Sequence, residues 1–179
     1  MTNNKRKGIQ SDIVWAASKY PMFQHNKIYG DKINEMQKKK FKETLRKFLY
    51  QNIFCQVYKS SISESRLLDV IKMLRNSVRR KHANILFNRD LTFGSAQKVI
   101  NIYLKVMWVM NLTEEPPHFP IDRKILGQLG LKINWTKLHS TEYKKIINSA
   151  REYISQNEFK KYNNSLAIWE AIEYSELTN

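Results

Sequence analysis

The stretch from Phe93 to Met110 is the most apolar part of the chain, and we predict that it forms a buried helix over about 95–111. Four polar residues interrupt it: Gln97, Lys98, Asn101 and Lys105. At about 100° per residue, these four side chains fall within an arc of roughly 100°. A narrow polar stripe on a buried helix is costly unless it lines a cavity or meets a partner.

Apolar residues also recur at helical spacing through most of the chain, and no alternating strand pattern is found. The predicted fold class is therefore all-α, a helical bundle that is either compact or divided into two lobes around the central helix. The predicted helices span 11–20, 31–58, 61–87, 95–111, 140–156 and 164–176. A further short helix begins near Asp122, and Pro21 is expected to end the first helix.

Charge is distributed unevenly along the chain. The net charge is +15, and 22 basic and 7 acidic residues lie in positions 1–111, against 9 and 9 in positions 112–179. We predict that residues 1–10 form a disordered basic arm. Residues 11–179 are then a single all-α domain, with a basic part (11–111) and a neutral part (112–179). This asymmetry favours a nucleic-acid partner over a merely solvated basic surface.

Several other classes of function are disfavoured by the sequence. Cys55 is the single cysteine and lies in an apolar run, so we expect a buried thiol and no internal disulfide. No Cys/His spacing is typical of a zinc site, and we expect neither a metal nor another cofactor. No apolar run is long enough for a membrane span, and the first ten residues are unlike a secretory signal. The expected location is intracellular, with no membrane partner.

A short motif opens the central helix. Gly94, Lys98 and Asp122 lie in Gly-Ser-Ala-Gln-Lys and Pro-Ile-Asp. This arrangement resembles the helix-hairpin-helix DNA glycosylase superfamily, the group of endonuclease III and the 8-oxoguanine glycosylases. The resemblance implies that Lys98 is the nucleophile, that Asp122 is the catalytic carboxylate, and that Gly94 and Ser95 grip a backbone phosphate.

The chemistry implied by this resemblance is glycosylase and lyase activity on a damaged or modified base. A buried lysine reacts as the neutral amine, and a carboxylate stabilises an oxocarbenium-like sugar. The base must leave the helical stack and enter a pocket. The predicted pocket residues are Gln97, Asn101, Lys105, Trp108, His118 and Phe119. A lysine that extends from the core to solvent and a helix-capping aspartate are the alternative roles of Lys98 and Asp122. Gln97 and Asn101 equally fit a buried amide network.

A second motif lies in a basic helix. Arg75, Asn76 and His82 resemble the Arg-x4–6-His motif of HEPN-type ribonucleases, which act on an RNA phosphate. A basic helix that contacts phosphates without chemistry explains the same residues. The predicted backbone contacts are Lys38, Lys39, Lys40, Arg75, Arg79, Arg80 and Lys81.

The sequence therefore predicts a nucleic-acid-binding protein, with DNA favoured over RNA. A DNA-glycosylase-like enzyme is the leading hypothesis. A non-enzymatic binding or interaction protein and a HEPN-like ribonuclease are the alternatives. The sequence leaves the oligomeric state undetermined.

Overall fold

The computed structural model describes residues 2–156 and 162–176, and its elements confirm the all-α fold. The helices are α1 (Asn3–Phe23), α2 (Glu35–Leu49), α3 (Glu64–His82), α4 (Phe93–Val109), α5 (Arg123–Gln128), α6 (Ser140–Gln156) and α7 (Leu166–Glu176). The described residues contain no strand, although Tyr29 and Leu86 form one isolated antiparallel bridge.

The central helix α4 organises the packing, as predicted. It lies against α1 and α3, and its first turn meets the 3-10 turn Trp135–Lys137. Buried apolar side chains from α1 through α7 form one contiguous cluster. Trp169 and Tyr143 are among the largest fully buried side chains, so the C-terminal helices complete the core around α4.

The prediction of a disordered arm over residues 1–10 is wrong for Asn3 onward, because α1 begins there. Met1 lies outside the described residues. The first turns of α1 are polar and carry no strong apolar pattern. Further along the helix, Val14 and Met22 are fully buried against the rest of the core, and this packing stabilises the helix. Pro21 also fails to end α1, because it lies in the final turn, where one backbone hydrogen bond is lost but the helix need not continue.

The second predicted helix ends close to the predicted residue but begins later and changes geometry. Asn34 rather than Asp31 is its cap, through a capping box with Gln37. After Leu49 the helix continues as a π-helical segment, Tyr50–Phe54, followed by the single turn Cys55–Val57. The wider π turn shifts the buried face, so Ile53 and Phe54 are buried whereas Cys55 is exposed. The prediction of a buried thiol is therefore wrong.

The predicted helix over 61–87 is shorter in the structure. Ser63 caps α3 at its N-terminus, and α3 ends at His82. Two 3-10 turns follow, and Asn88 and Arg89 both have positive φ, which no α-helix tolerates. The prediction continued the helix through this turn because it depended on the spacing of apolar residues alone. Asp122 caps α5, the role that was the alternative to catalysis, with its side chain accepting from the N–H groups of Lys124 and Ile125.

Gly94 is required for the packing of α4. A Cβ atom at this position would lie 1.8 Å from the carbonyl oxygen of Trp135, a backbone atom.

We predict that Gly94→Ala lowers the free energy of unfolding by about 1 to 3 kcal/mol, because the backbone must move apart. Gly127→Ala is the matched control. Gly127 is helical with open space around it, so this change should be neutral or stabilise by up to about 1 kcal/mol. Urea unfolding of both variants measures the difference, and equal stabilities would contradict this role of Gly94.

Candidate functional site

Lys98 and Asp122 line the same cavity, which has a volume of about 400 Å³. The cavity lies between α1, α4 and the segments that carry Pro120, Asp122 and Glu170. Its lining residues are Ala17, Pro21, Gln24, Lys98, Ile102, Lys105, Val106, Val109, Met110, Pro120, Asp122 and Glu170. The two residues on which the catalytic prediction depends are therefore neighbours in space.

The Lys98 side chain is largely buried, which argues against the alternative in which it extends from the core to the surface. The residue is 6% exposed, its Nζ donates to the Gln24 carbonyl oxygen at 3.1 Å, and it lies 4.8 Å from the centroid of the Trp135 ring. Burial lowers the pKa of the Lys98 amine, and the negative charge of Asp122 opposes that shift. Asp122 combines a structural role with a place in the cavity wall, because it also caps α5.

A partly buried ion pair forms another part of the cavity wall. Lys105 Nζ lies 2.6 Å from Glu170 Oε2, and Glu170 is 3% exposed. Burial raises the pKa of the Glu170 carboxyl group, whereas the charge of Lys105 lowers it. Glu170 was not among the predicted pocket residues, and it lies 65 residues from Lys105 in the sequence. The one signal that marks it is an acidic residue within the apolar run Leu166-Ala167-Ile168-Trp169 and Ala171.

Gln97 and Asn101 do not line this cavity. The Gln97 amide donates to the Ile121 carbonyl oxygen at 2.8 Å and accepts from the Ile121 N–H at 3.2 Å. Asn101 Nδ2 lies 3.0 Å from both the Phe119 carbonyl oxygen and the Tyr143 hydroxyl. The prediction that they are pocket residues is wrong. They form the buried amide network that was the alternative, and this network joins α4 to the segment before α5.

His118 belongs to the same buried network. Its Nδ1 lies 2.9 Å from the Tyr143 hydroxyl and its Nε2 lies 3.3 Å from Glu64 Oε1. Glu64 is also paired with Arg151, at 2.7 Å. A neutral His118 that is protonated on Nε2 fits these contacts, with Tyr143 donating to Nδ1 and accepting from Asn101. His118 is therefore a structural residue and does not border the cavity, contrary to the prediction.

Phe119 and Trp108 are also absent from the cavity lining, so their assignment to the pocket is wrong. Phe119 is 1% exposed and packs edge-on against Trp169, with ring centroids 5.3 Å apart. Trp108 is partly exposed on α4. The helix α4 contacts other elements on several sides. The number of residues that separate a side chain from Lys98 therefore did not predict whether the two share a cavity.

The start of α4 does not form an open phosphate site. The Thr92 hydroxyl accepts from the Ser95 N–H at 3.1 Å, and the Ser95 hydroxyl donates to Asn26 Oδ1 at 2.7 Å. Gly94 is covered by the Trp135 carbonyl. The predicted phosphate grip at Gly94 and Ser95 is therefore wrong, because the chain itself occupies the N-terminus of the helix.

A second, more open site lies between the C-terminal part of α2 and the C-terminal half of α3. It is a groove of about 1100 Å³, and we call it the basic groove. Its lining residues are Thr44, Lys47, Phe48, Gln51, Asn52, Met73, Asn76, Ser77, Arg79, Arg80, Lys81 and Ala83. Four of these residues are cationic and none is acidic, so the predicted contacts Arg79, Arg80 and Lys81 do converge on one surface.

The cations of the basic groove lack the acidic partners that several other basic residues have. Lys47, Arg79, Arg80 and Lys81 are exposed, and none forms a salt bridge with an acidic residue in the described part of the chain. Elsewhere, Arg46 pairs with Asp12. The groove therefore keeps its full positive charge, which is what a polyanion requires.

The π-helical segment of α2 contributes two amide side chains to the basic groove. Gln51 and Asn52 lie in this segment, and Asn52 Nδ2 donates to the Phe48 carbonyl oxygen at 3.0 Å. Such π-bulges are rare and are frequently found at functional sites. The groove continues past Ala83 into a smaller space of about 380 Å³ that is bordered by Arg79, Asn88, Arg89 and Asp90.

Arg75 holds this end of the groove in place and does not line it. Its guanidinium pairs with Asp90 at 2.7 Å and donates to the Leu91 carbonyl oxygen at 2.8 Å. His82 lies 2.9 Å from the Thr44 hydroxyl and packs edge-on against Phe41. The prediction of a phosphate contact for Arg75 is therefore wrong. The two residues of the ribonuclease motif contact different structural neighbours, so the structure adds no support to that alternative.

The lysine run in the first half of α2 lies outside the basic groove. Lys38 pairs with Glu35 at 2.8 Å, whereas Lys39 and Lys40 are exposed. A role for this run in binding a nucleic-acid backbone stays a prediction.

Comparisons of this chain with protein-family models, with curated proteins and with solved structures give no match. Across residues 2–156 and 162–176, no group of three or more His, Cys, Asp or Glu residues is arranged to hold a metal ion. Within the same residues, no helix combines the length and the apolar character needed to cross a bilayer.

The buried His118 predicts a specific loss of stability in acid. Burial lowers the pKa of His118 from 6.5 to about 4. Its neutral form therefore stabilises the fold fully above pH 6.5, and this contribution disappears as the pH falls toward 4. We predict that about 2 kcal/mol of unfolding free energy is lost between pH 7 and pH 5 through this one residue.

Urea unfolding at pH 7 and pH 5 measures this effect. His118→Gln should lose about 2 kcal/mol less than the unmodified protein over this range, because glutamine does not titrate. His139→Gln is the control, since His139 is exposed and should leave the pH dependence unchanged. The same acid sensitivity in His118→Gln and the unmodified protein would show that His118 is not the cause.

Proposed function

We propose that this protein binds the phosphate backbone of duplex DNA through the basic groove between α2 and α3. The observation that supports the proposal is the combination of four cations without salt-bridge partners among the described residues and no acidic residue in the groove wall. Guanidinium and ammonium groups bind phosphate oxygens directly, and neutralising phosphates releases condensed counterions.

The side chains beside these cations support backbone contacts in particular. Gln51, Asn52, Asn76 and Ser77 provide amide and hydroxyl groups, which hydrogen-bond phosphate and sugar oxygens. Proteins that bind single strands usually stack the bases on exposed aromatic rings. The aromatic residue in the groove wall is Phe48, which is 8% exposed and offers no such platform. A duplex, whose bases stay stacked, is therefore the better fit.

Base excision at Lys98 and Asp122 stays a prediction that rests on the resemblance described above. The shared cavity and the lowered pKa of Lys98 favour it. The occupied start of α4 and the absence of an aromatic residue from the cavity lining do not. The basic groove and the Lys98 cavity have no lining residue in common, so binding at the groove does not depend on chemistry at Lys98.

The affinity for a duplex of arbitrary sequence should fall steeply with salt. The slope of log K against log salt should be about −0.9 for each neutralised phosphate. The triple change Lys47→Gln, Arg79→Gln and Arg80→Gln should weaken binding at least tenfold and reduce that slope by about three. Fluorescence anisotropy with a labelled duplex of about 20 base pairs measures both quantities.

A charge-matched variant separates groove binding from general electrostatic attraction. Lys132→Gln, Lys144→Gln and Lys145→Gln removes the same charge from exposed positions outside the groove. This variant should keep most of the affinity at physiological salt. An equal loss in both triple variants, or an affinity independent of salt, would contradict the proposed site.

A further inference from the structure

The Lys98 cavity is a trough along one face of α4. Lys98, Ile102, Lys105 and Val109 follow one another at intervals of four, three and four residues, so they share this face. The eleven helical steps from Lys98 to Val109 correspond to a length of about 16 Å at the helical rise. Residues from α1 form one wall, and Pro120, Asp122 and Glu170 form the other.

The trough is mainly apolar. Seven of its twelve lining residues are Ala, Pro, Ile, Val or Met. Val109 is 71% exposed, so apolar surface continues to the end of the trough that is open to solvent. A volume of about 400 Å³ lies within the range of small-molecule sites, which combine apolar walls with a few polar groups.

The charged groups of the trough favour a neutral ligand group over a charged one. Lys98, Lys105, Asp122 and Glu170 contribute two positive and two negative charges. The Lys105–Glu170 pair is mutually compensating, and the charge of Asp122 acts on Lys98. An additional carboxylate or ammonium would bring an uncompensated charge into a poorly solvated site, which is costly.

Lys98 supplies hydrogen-bond donors for a neutral acceptor. An ammonium group has three N–H bonds, and Lys98 uses one on the Gln24 carbonyl while its Nζ faces the Trp135 ring. Because Lys98 also lines the trough and the residue is only 6% exposed, an acceptor bound there can reach a donor on a largely buried side chain. Hydrogen bonds in such a site are stronger than those at the surface.

We propose that this trough binds a small apolar molecule that carries one neutral carbonyl group, such as a medium-chain amide. Lys98 donates a hydrogen bond to the carbonyl oxygen, and the hydrocarbon part lies along Ile102, Val106 and Val109. This site is separate from the basic groove and does not depend on DNA binding.

Three probes of equal chain length test the choice of ligand group. Isothermal titration calorimetry with octanamide, octanoate and octylamine should give saturable binding of octanamide. Its affinity should exceed that of the two charged probes by at least tenfold. Absence of saturable octanamide binding, or a preference for octanoate or octylamine, would overturn the proposal.

Two variants test the position of the ligand. Lys98→Met should weaken octanamide binding at least tenfold, because the donor is lost while the apolar volume is retained. Val109→Asp lies on the exposed rim, where folding tolerates a polar residue, and it should weaken binding at least fivefold. Lys132→Met and Ile13→Asp are exposed controls outside the trough and should leave binding unchanged. Octanamide binding that is unaffected by both test variants would place the ligand elsewhere.

A final experiment distinguishes the trough ligand from a sugar substrate. The protein is incubated with a duplex that contains an abasic site, and sodium borohydride is added. The proposal predicts no adduct on Lys98. A borohydride-trapped adduct at Lys98 would overturn it in favour of base excision, and neither result depends on whether intact duplex binds at the basic groove.

Discussion

Burial of the central helix α4 is the constraint on which the rest of the structure depends. Its polar side chains must find partners inside the protein, because an unpaired buried polar group is costly. Gln97 meets the backbone of Ile121, Asn101 meets Tyr143, and Lys105 meets Glu170 on α7. These contacts fix the segment before α5 and the C-terminal helices around α4. Lys98 is the residue of this stripe that lines the trough and has N–H donors beyond the one that bonds the Gln24 carbonyl. The packing that builds the core therefore also places a polar group in an apolar cavity.

A different pair of helices, α2 and α3, carries the concentrated positive charge of the basic groove. Several basic residues have an acidic neighbour, as Arg75 has Asp90 and Arg151 has Glu64. Between α2 and α3, four cations line one groove without an acidic partner in the described part of the chain, so their positive charge is concentrated. The Arg75–Asp90 pair also holds the turn that closes one end of the groove. A positive surface of this kind attracts polyanions over distances of about one Debye length and binds them with strong salt dependence.

The sequence predicted those features that depend on local signals. The helical spacing of α4 and the possible capping role of Asp122 could be predicted from the sequence, because they depend on residues within a few positions of each other. Contacts between segments that are distant in the sequence could not be predicted in this way. Glu170 reaches Lys105 only after the chain has folded back, and the 3-10 turn at Trp135 covers Gly94 for the same reason. The helical start of α1 was also missed, since tertiary packing rather than local composition stabilises it.

The proposed function of the basic groove is tested most directly by finding which backbone amides change when DNA binds. A titration of the ¹⁵N-labelled protein with a duplex of about 16 base pairs, followed by amide chemical shifts, locates the contact directly. Our account predicts that the largest shift changes fall within residues 44–52 and 73–83, the two sides of the groove. Shift changes concentrated instead at residues 93–98 and 120–123, around the start of α4 and Asp122, would contradict it.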